Sequence, residues 1–346
     1  MEPLTVSLSA VQAFRRCQTQ YHYRYVERLK RKDKAPAPEL GIILHDYLAC
    51  YYKWLQADVP AIEAHQTGLL KISADYMPEI KRFARVAERV GQHDLAAELL
   101  EIPGKASRIA ERYYLARGQF DAERYEIIYV EQELRWQIRK SLRSDGRLDL
   151  VTQDRETGRV HLWDHKSTAN VPDEGYRMRD LQTLLYAEKL ARESPADIEI
   201  DCVLWNYIRT KEPTVPEQLK AGGLTRRADL DSTLEVYSAE VTRLGLNPMD
   251  YDEQWQRLAG RELSVFFPRI EQVIVAQADV LLRDYINTAR EIRRYRKAWA
   301  DGIVEPVRNL SMDCTWCEFA TLCNAVILGG DESDIREMRF TVNAHA

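Results

Sequence analysis

Asp149, in the run RLDLV, and Asp164 with Lys166, in LWDHKS, are the residues whose types and spacing point most directly to chemistry. The segments around them read as strands over residues 147–152 and 159–166, joined by the polar turn DRETG. A hairpin centred between Glu156 and Thr157 sets Asp149 opposite Asp164, and period-two alternation puts Lys166 on the same face. Paired carboxylates suit a hard cation such as Mg²⁺ or Mn²⁺, which polarises a phosphate and lowers the pKa of an attacking water. The lysine would orient that water or stabilise charge on phosphate oxygens. A solvated hairpin with alternating charges is the competing reading. The apolar neighbours in VHLWDHKS weigh against it, because charges among apolar side chains need partners.

A second constellation is Cys314, Cys317 and Cys323, a C-x₂-C-x₅-C run that leaves a tetrahedral metal site one ligand short. Cys17 is the candidate fourth. Thiolates serve zinc and iron–sulfur clusters alike, so the residues alone leave both open. Cys50 and Cys202 read as ordinary packed cysteines. A third feature is basic: Arg15, Arg16, Arg24, Arg28 and Lys30–Lys34 interleave with Tyr21, Tyr23 and Tyr25. Phosphate contacts with stacking rings would make a single-strand groove. A solvated amphipathic helix with inward tyrosines explains the pattern equally. The cluster Arg290, Arg293, Arg294, Arg296 and Lys297 reads as an exposed helix face.

These residues must be positioned by the rest of the chain. A helix is expected over residues 7–30 and a second from near Glu39 through Gln56, with a Pro36/Pro38 loop between them. Further helical pattern fills 61–118, with breaks at Pro78, Gly91 and Pro103-Gly104. The period changes at Tyr125, where residues 125–138 read as a strand. A helix over 178–193 follows, with Leu181, Leu184, Leu185 and Leu190 on its apolar side. Residues 198–208 and 262–272 read as strands, 211–260 as an insertion, and 274–299 as a long charged helix. The segment 314–323 closes the ordered part. The organisation is one α/β domain over 1–346: a helical part (1–120), a core (121–210), the insertion (211–260), then C-terminal helices and cysteines (261–328).

The chain has 346 residues, 45% of them hydrophobic and 30% charged, which excludes a disordered protein. No apolar run approaches the roughly 18 residues of a membrane span. The N-terminus lacks an apolar signal core behind a basic start, so a cytoplasmic protein is expected. A net charge of −5 gives no global nucleic-acid footprint, leaving that question to local patches. No phosphate-binding G-x-x-x-x-G-K-[ST] loop occurs, which disfavours a nucleotide-dependent phosphoryl transferase.

A strand with Asp, a turn, and a strand ending D-x-K resembles the motif of the PD-(D/E)XK nucleases. Gln182-Thr-Leu-Leu-Tyr186 resembles the Q-x-x-x-Y helix of their RecB-like branch, and Gly41-Ile-Ile-Leu-His45 its G-x-x-x-H helix. The Ser7-to-Tyr23 segment is also similar to the start of that branch. Taken from residues alone, His45 is an ordinary helix histidine, and Gln182 and Tyr186 an amphipathic boundary. The resemblance implies a restriction-endonuclease-like core, with His45, Asp149 and Asp164 as metal ligands and Lys166 as the catalytic lysine. It also implies that Gln182 and Tyr186 line the site and contact DNA. Glu131 and Glu133 share a strand face and could extend the acidic site, although a solvated face explains them equally. One cysteine before the motifs and three after them resembles the iron–sulfur exonucleases of this branch, which implies a structural 4Fe–4S cluster on Cys17, Cys314, Cys317 and Cys323. The implied function is a metal-dependent DNA exonuclease on ends or single strands, working with replication or recombination proteins. The alternative is an inactive DNA-binding subunit with a zinc clip. The insertion's LKAGGLTRRADLD resembles bacteriophage-encoded members, which would place the protein in a host cytoplasm.

Overall fold

The computed structural model describes residues 4–32, 35–140, 142–177, 182–183, 185–186, 199–273 and 278–343. Most of the expected helix over 178–193 lies outside these residues, as does Lys34.

A six-stranded mixed sheet organises the chain. It contains β1 (Leu4–Thr5), β3 (Tyr125–Arg139), β4 (Leu142–Asp154), β5 (Val160–Thr168), β6 (Cys202–Arg209) and β7 (Arg269–Val273). The order is β1-β4-β5-β6-β7, with β3 on the other side of β4. Strands β4 and β5 are antiparallel with Leu150 opposite Trp163, the register expected from the hairpin centre. Strand β6 is parallel to β5 and antiparallel to β7. The expected strand over 262–272 is shorter: Leu263–Phe266 forms a 3₁₀ turn, and the strand begins at Arg269.

One sheet face is covered by α3 (Pro36–Gln56) and α6 (His93–Tyr113), with α4 (Ala61–Lys71) and α5 (Met77–Arg89) outside them. Helix α3 starts three residues earlier than expected. Pro36 and Pro38 belong to its first turn, where a proline forfeits no helical hydrogen bond. Pro78 likewise opens α5, and Gly91, at φ 75°, ends it. Pro103-Gly104 does not break α6, contrary to expectation. Pro103 is buried in the core, whose packing outweighs one lost backbone bond.

The expected helix over 7–30 is also broken. Helix α1 (Leu8–Arg16) stops at Cys17, whose φ of −163° and ψ of 120° are extended. The short α2 (Gln18–Tyr21) and a π turn (His22–Val26) follow, then β2 (Leu29–Arg31). The reason is tertiary: Thr19 N donates to Val307 O, and Asn309 Nδ2 donates to Arg16 O. The C-terminal segment thus takes backbone groups that a continuous helix would satisfy internally. Order also continues past the cysteines. A helix (Ser333–Arg339) leads into β8 (Phe340–Val342), which pairs with β2. Phe340 is buried there with Tyr23, Leu29, Phe319 and Leu322, so apolar packing joins the chain ends.

The insertion carries its own small core of Leu224, Tyr237, Val241, Tyr251 and Leu258. The long helix (Ala278–Ala300) packs on α1 through Tyr285, Ala289, Ile292 and Tyr295. It is less solvated than expected: Arg296 donates to the Tyr21 hydroxyl at 2.7 Å and lies over that ring.

Candidate active site

The hairpin brings the expected residues together. Strand β5 carries Asp164 and Lys166 on one face, and the Lys166 ammonium lies 2.9 and 2.8 Å from the two Asp164 oxygens. Asp164 is 4% exposed, so its charge is held among protein groups. The His165 amide donates to Asp149 Oδ2 at 2.8 Å, fixing the second carboxylate on the neighbouring strand. Burial, with the nearby Glu131 charge, pushes Asp149 up to about 6, although the His165 amide and Lys166 oppose the shift.

Helix α3 supplies His45, with Nδ1 3.9 Å from Asp149 Oδ2. Burial holds its pKa below the ordinary value, so at neutral pH the ring is uncharged and keeps a lone pair for a cation. The glycine one turn earlier explains the approach: a Cβ on Gly41 would stand 2.7 Å from Ser167 Oγ on β5. A glycine spares that contact and lets α3 come close to β5 with Ser167 in its present rotamer.

A tyrosine, a glutamine and a glutamate complete the surroundings. Tyr186 is buried, and its hydroxyl accepts from Arg147 N at 3.3 Å. A Cβ on Gly146 would stand 2.4 Å from that hydroxyl, so Tyr186 lies directly on β4 beside the carboxylates. The nearby Asp149 and Asp164 charges add to burial in raising its pKa to about 12. This placement makes it a wall of the site holding β4. Gln182 is half-buried on the same segment. Glu131 sits between Val130 and Gln132, which pair with Leu150 and Leu148, and so lies beside Asp149. Its φ of 50° is left-handed, an uncommon state for a glutamate inside a strand. Burial raises its pKa, and Arg147 and His45 counter the rise.

Beneath the site, sequence reasoning missed a buried polar chain. Asn206 Nδ2 lies 2.9 Å from His165 Nδ1, and Arg269 Nε donates to Asn206 Oδ1 at 3.2 Å. Arg269 also makes two 2.6 Å bonds to the fully buried Asp121. These four residues anchor the strand position whose amide holds Asp149. No local pattern announces them, because they come from four separate elements.

The donor set fits a hard divalent cation: two carboxylates, a neutral imidazole and Glu131 within electrostatic reach. Among the described residues the three prospective ligand atoms do not crowd within 4.8 Å. With Mg²⁺–ligand bonds of about 2.0–2.1 Å, the three would have to draw closer to bind one ion together, or some would act through its bound waters.

The cysteines meet at a separate place. Cys17, Cys314, Cys317 and Cys323 line one cavity with Tyr23, Arg308 and Phe319. No three of these sulfurs lie within 4.8 Å of one another. A tetrahedral zinc with bonds of about 2.3 Å would need them about 3.8 Å apart. Of the two readings of the basic N-terminal patch, the one with inward tyrosines describes Tyr21 and Tyr23. Tyr21 and Tyr23 are buried, so they do not offer stacking faces. Arg24 is paired with Glu318, and Arg15 Nε donates to Thr288, while Arg16 lines the cysteine cavity.

A model of the PD-(D/E)XK nuclease superfamily matches residues 5–324, a span that includes the hairpin, His45 and all four cysteines of the cavity. The chain belongs to that superfamily, whose members are generally metal-dependent nucleases. No curated protein matches the chain significantly. Among the described residues, no helix is long and apolar enough to cross a membrane.

Proposed function

We propose that this protein is a metal-dependent deoxyribonuclease, acting as an exonuclease on DNA ends or single strands. The observation that carries this reading is the contact of Lys166 with Asp164, across the hairpin from Asp149, which itself lies 3.9 Å from His45 Nδ1. Asp149, Asp164 and His45 would hold the cation, with Glu131 a further oxygen donor. A bound Mg²⁺ or Mn²⁺ supplies Lewis acidity at the phosphate and lowers the pKa of water. Lys166 is placed to orient the attacking water and to stabilise charge developing on the phosphate oxygens. Asp149 and His45 remain unprotonated at neutral pH, as ligands must. Tyr186 and Gln182 hold the wall against which the hairpin rests.

The reading of a 4Fe–4S cluster is supported by the gathering of Cys17, Cys314, Cys317 and Cys323 around one cavity, and its preference over zinc rests on the motif resemblance. The cluster's role would be structural, tying α1 to the C-terminal segment far from Lys166 in sequence. DNA recombination, repair or replication in the cytoplasm, and a bacteriophage-type origin, complete the proposal and rest on motif resemblance alone.

The test is incubation with end-labelled single- and double-stranded DNA, with and without Mg²⁺ or Mn²⁺. Mononucleotides or short products released progressively from one end support the proposal. Metal-dependent cuts at internal positions, equally on circular DNA, would make the enzyme an endonuclease.

A further inference from the structure

We infer that His161, Cys202 and Glu271 form a second cation site, of the zinc type, on the sheet face opposite Asp164. The three come from adjacent strands. His161 is the ladder partner of Cys202 across β5 and β6. Glu271 is the partner of Leu204 across β6 and β7, which puts it on the same face as Cys202 and one pleat along. A ring nitrogen, a sulfur and a carboxylate oxygen from these residues lie within 4.8 Å of one another. Since Asp164 is three residues beyond His161 on β5, its side chain leaves the other face. The two donor sets therefore sit back to back on one strand.

An independent observation points to a ligand. His161 is 1% exposed, and neither of its ring nitrogens has a hydrogen-bond partner. Buried imidazoles ordinarily satisfy at least one nitrogen, since an unmet polar atom costs free energy. A cation held also by Cys202 and Glu271 would take that lone pair. Burial keeps the ring neutral, the form that ligates. Cys202 is fully buried, and burial with the Glu271 charge raises its thiol pKa to about 12, so cation uptake must displace a proton.

The ligand chemistry selects the ion. One thiolate, one imidazole and one carboxylate match zinc and its neighbours, whereas Mg²⁺ and Ca²⁺ prefer oxygen throughout. Closing the group to zinc distances asks for a movement of about 1 Å, given bonds of about 2.0–2.3 Å. Glu271 can supply it: its side chain is exposed and shared with Arg159 at 2.9 Å. With three protein ligands, water would take the fourth position. Such an ion would brace β7, the strand that follows the insertion, to the strand carrying Asp164 and Lys166. This inference is independent of the hydrolytic reading.

The test uses the full-length protein as purified, titrated with Co²⁺ in excess Mg²⁺, which occupies the oxygen site. A sulfur-to-cobalt charge-transfer band is expected to rise to one equivalent in wild type and in Asp164→Asn. Glu271→Gln, a surface change that leaves the core intact, should weaken the difference band's midpoint at least about tenfold. Cys202→Ala should remove that component of the band. Absence of any band, or a band with the same midpoint and intensity in wild type, Glu271→Gln and Cys202→Ala, would overturn the site.

Discussion

The carboxylate hairpin and the junction of the chain ends both gather donor groups, but over opposite sequence distances. Asp149 and Asp164 meet through a turn of a few residues, and the ladder that pairs them also sets which face they share. Cys17 meets Cys314, Cys317 and Cys323 from almost the other end of the chain. That meeting depends on the 278–300 helix packing on α1, on Thr19 pairing with Val307, and on the β2–β8 strands. A local ladder forms wherever the hairpin forms, whereas the junction exists only when the whole fold does. The difference predicts that damage to the hairpin acts on chemistry and damage to the junction acts on stability.

The largest effect belongs to the junction. Cys17→Ser should lose the iron of anaerobically purified protein and lower the melting temperature by roughly 10 °C, because metal-binding energy there is folding energy. Elemental analysis and calorimetry check both. Full iron content with an unchanged melting temperature would show that Cys17 is no ligand and that packing alone holds it to the C-terminal segment, and the contrast would fail on its stability side.

Asp149 offers a smaller effect on the hairpin side. Its folded pKa of about 6 lies above the ordinary 3.8, so between these values the folded state holds a proton the unfolded state has lost. Stability of the metal-free protein should therefore fall as pH rises from about 4 to about 6, by on the order of 2 kcal/mol. Asp149→Asn should abolish that part of the slope, and saturating Mg²⁺ should offset the loss at neutral pH. Urea titrations across this range measure it. An Asp149→Asn protein with the wild-type slope would place the carboxylate elsewhere than in a buried site.

The smallest effect concerns the approach of α3. Gly41→Ala brings a methyl to 2.7 Å from Ser167 Oγ and should move His45 by tenths of an ångström. The expected cost is about 1–2 kcal/mol of stability and a severalfold rise in the Mg²⁺ concentration for half-maximal cleavage. Adding Ser167→Ala removes the clashing oxygen and should restore much of both. If the double variant is no better than the single one, the glycine serves something other than this close contact.

The sequence made the hairpin legible because its signal is local: a turn, two apolar runs and the alternation of side chains fix register and face together. Glycine before His45 was legible as a motif, but its physical reason, the proximity of Ser167, appears only when helix and strand are packed. The Arg269–Asp121–Asn206–His165 chain was not legible at all, since each member looks ordinary in its own segment and only long-range packing joins them. The expectation of one helix through Cys17 failed for the same reason. Apolar spacing through Val11, Phe14 and Tyr21 favours one helix, and backbone bonds to residues 307–309 override it. Cys202 read as plain packing because its neighbours His161 and Glu271 lie on other strands.

The proposed nuclease activity requires that the hairpin and His45 form one metal-dependent hydrolytic centre. The most direct measurement is the Mg²⁺ and Mn²⁺ dependence of DNA cleavage by wild type, Asp164→Asn, Lys166→Ala and His45→Ala, alongside melting temperatures. No cleavage is expected without metal, and a loss of at least about 100-fold is expected in Asp164→Asn and Lys166→Ala. A raised metal requirement is expected in His45→Ala, with all three variants folded. Cleavage by Lys166→Ala at the wild-type rate, with the same metal midpoint in His45→Ala, would contradict the proposal.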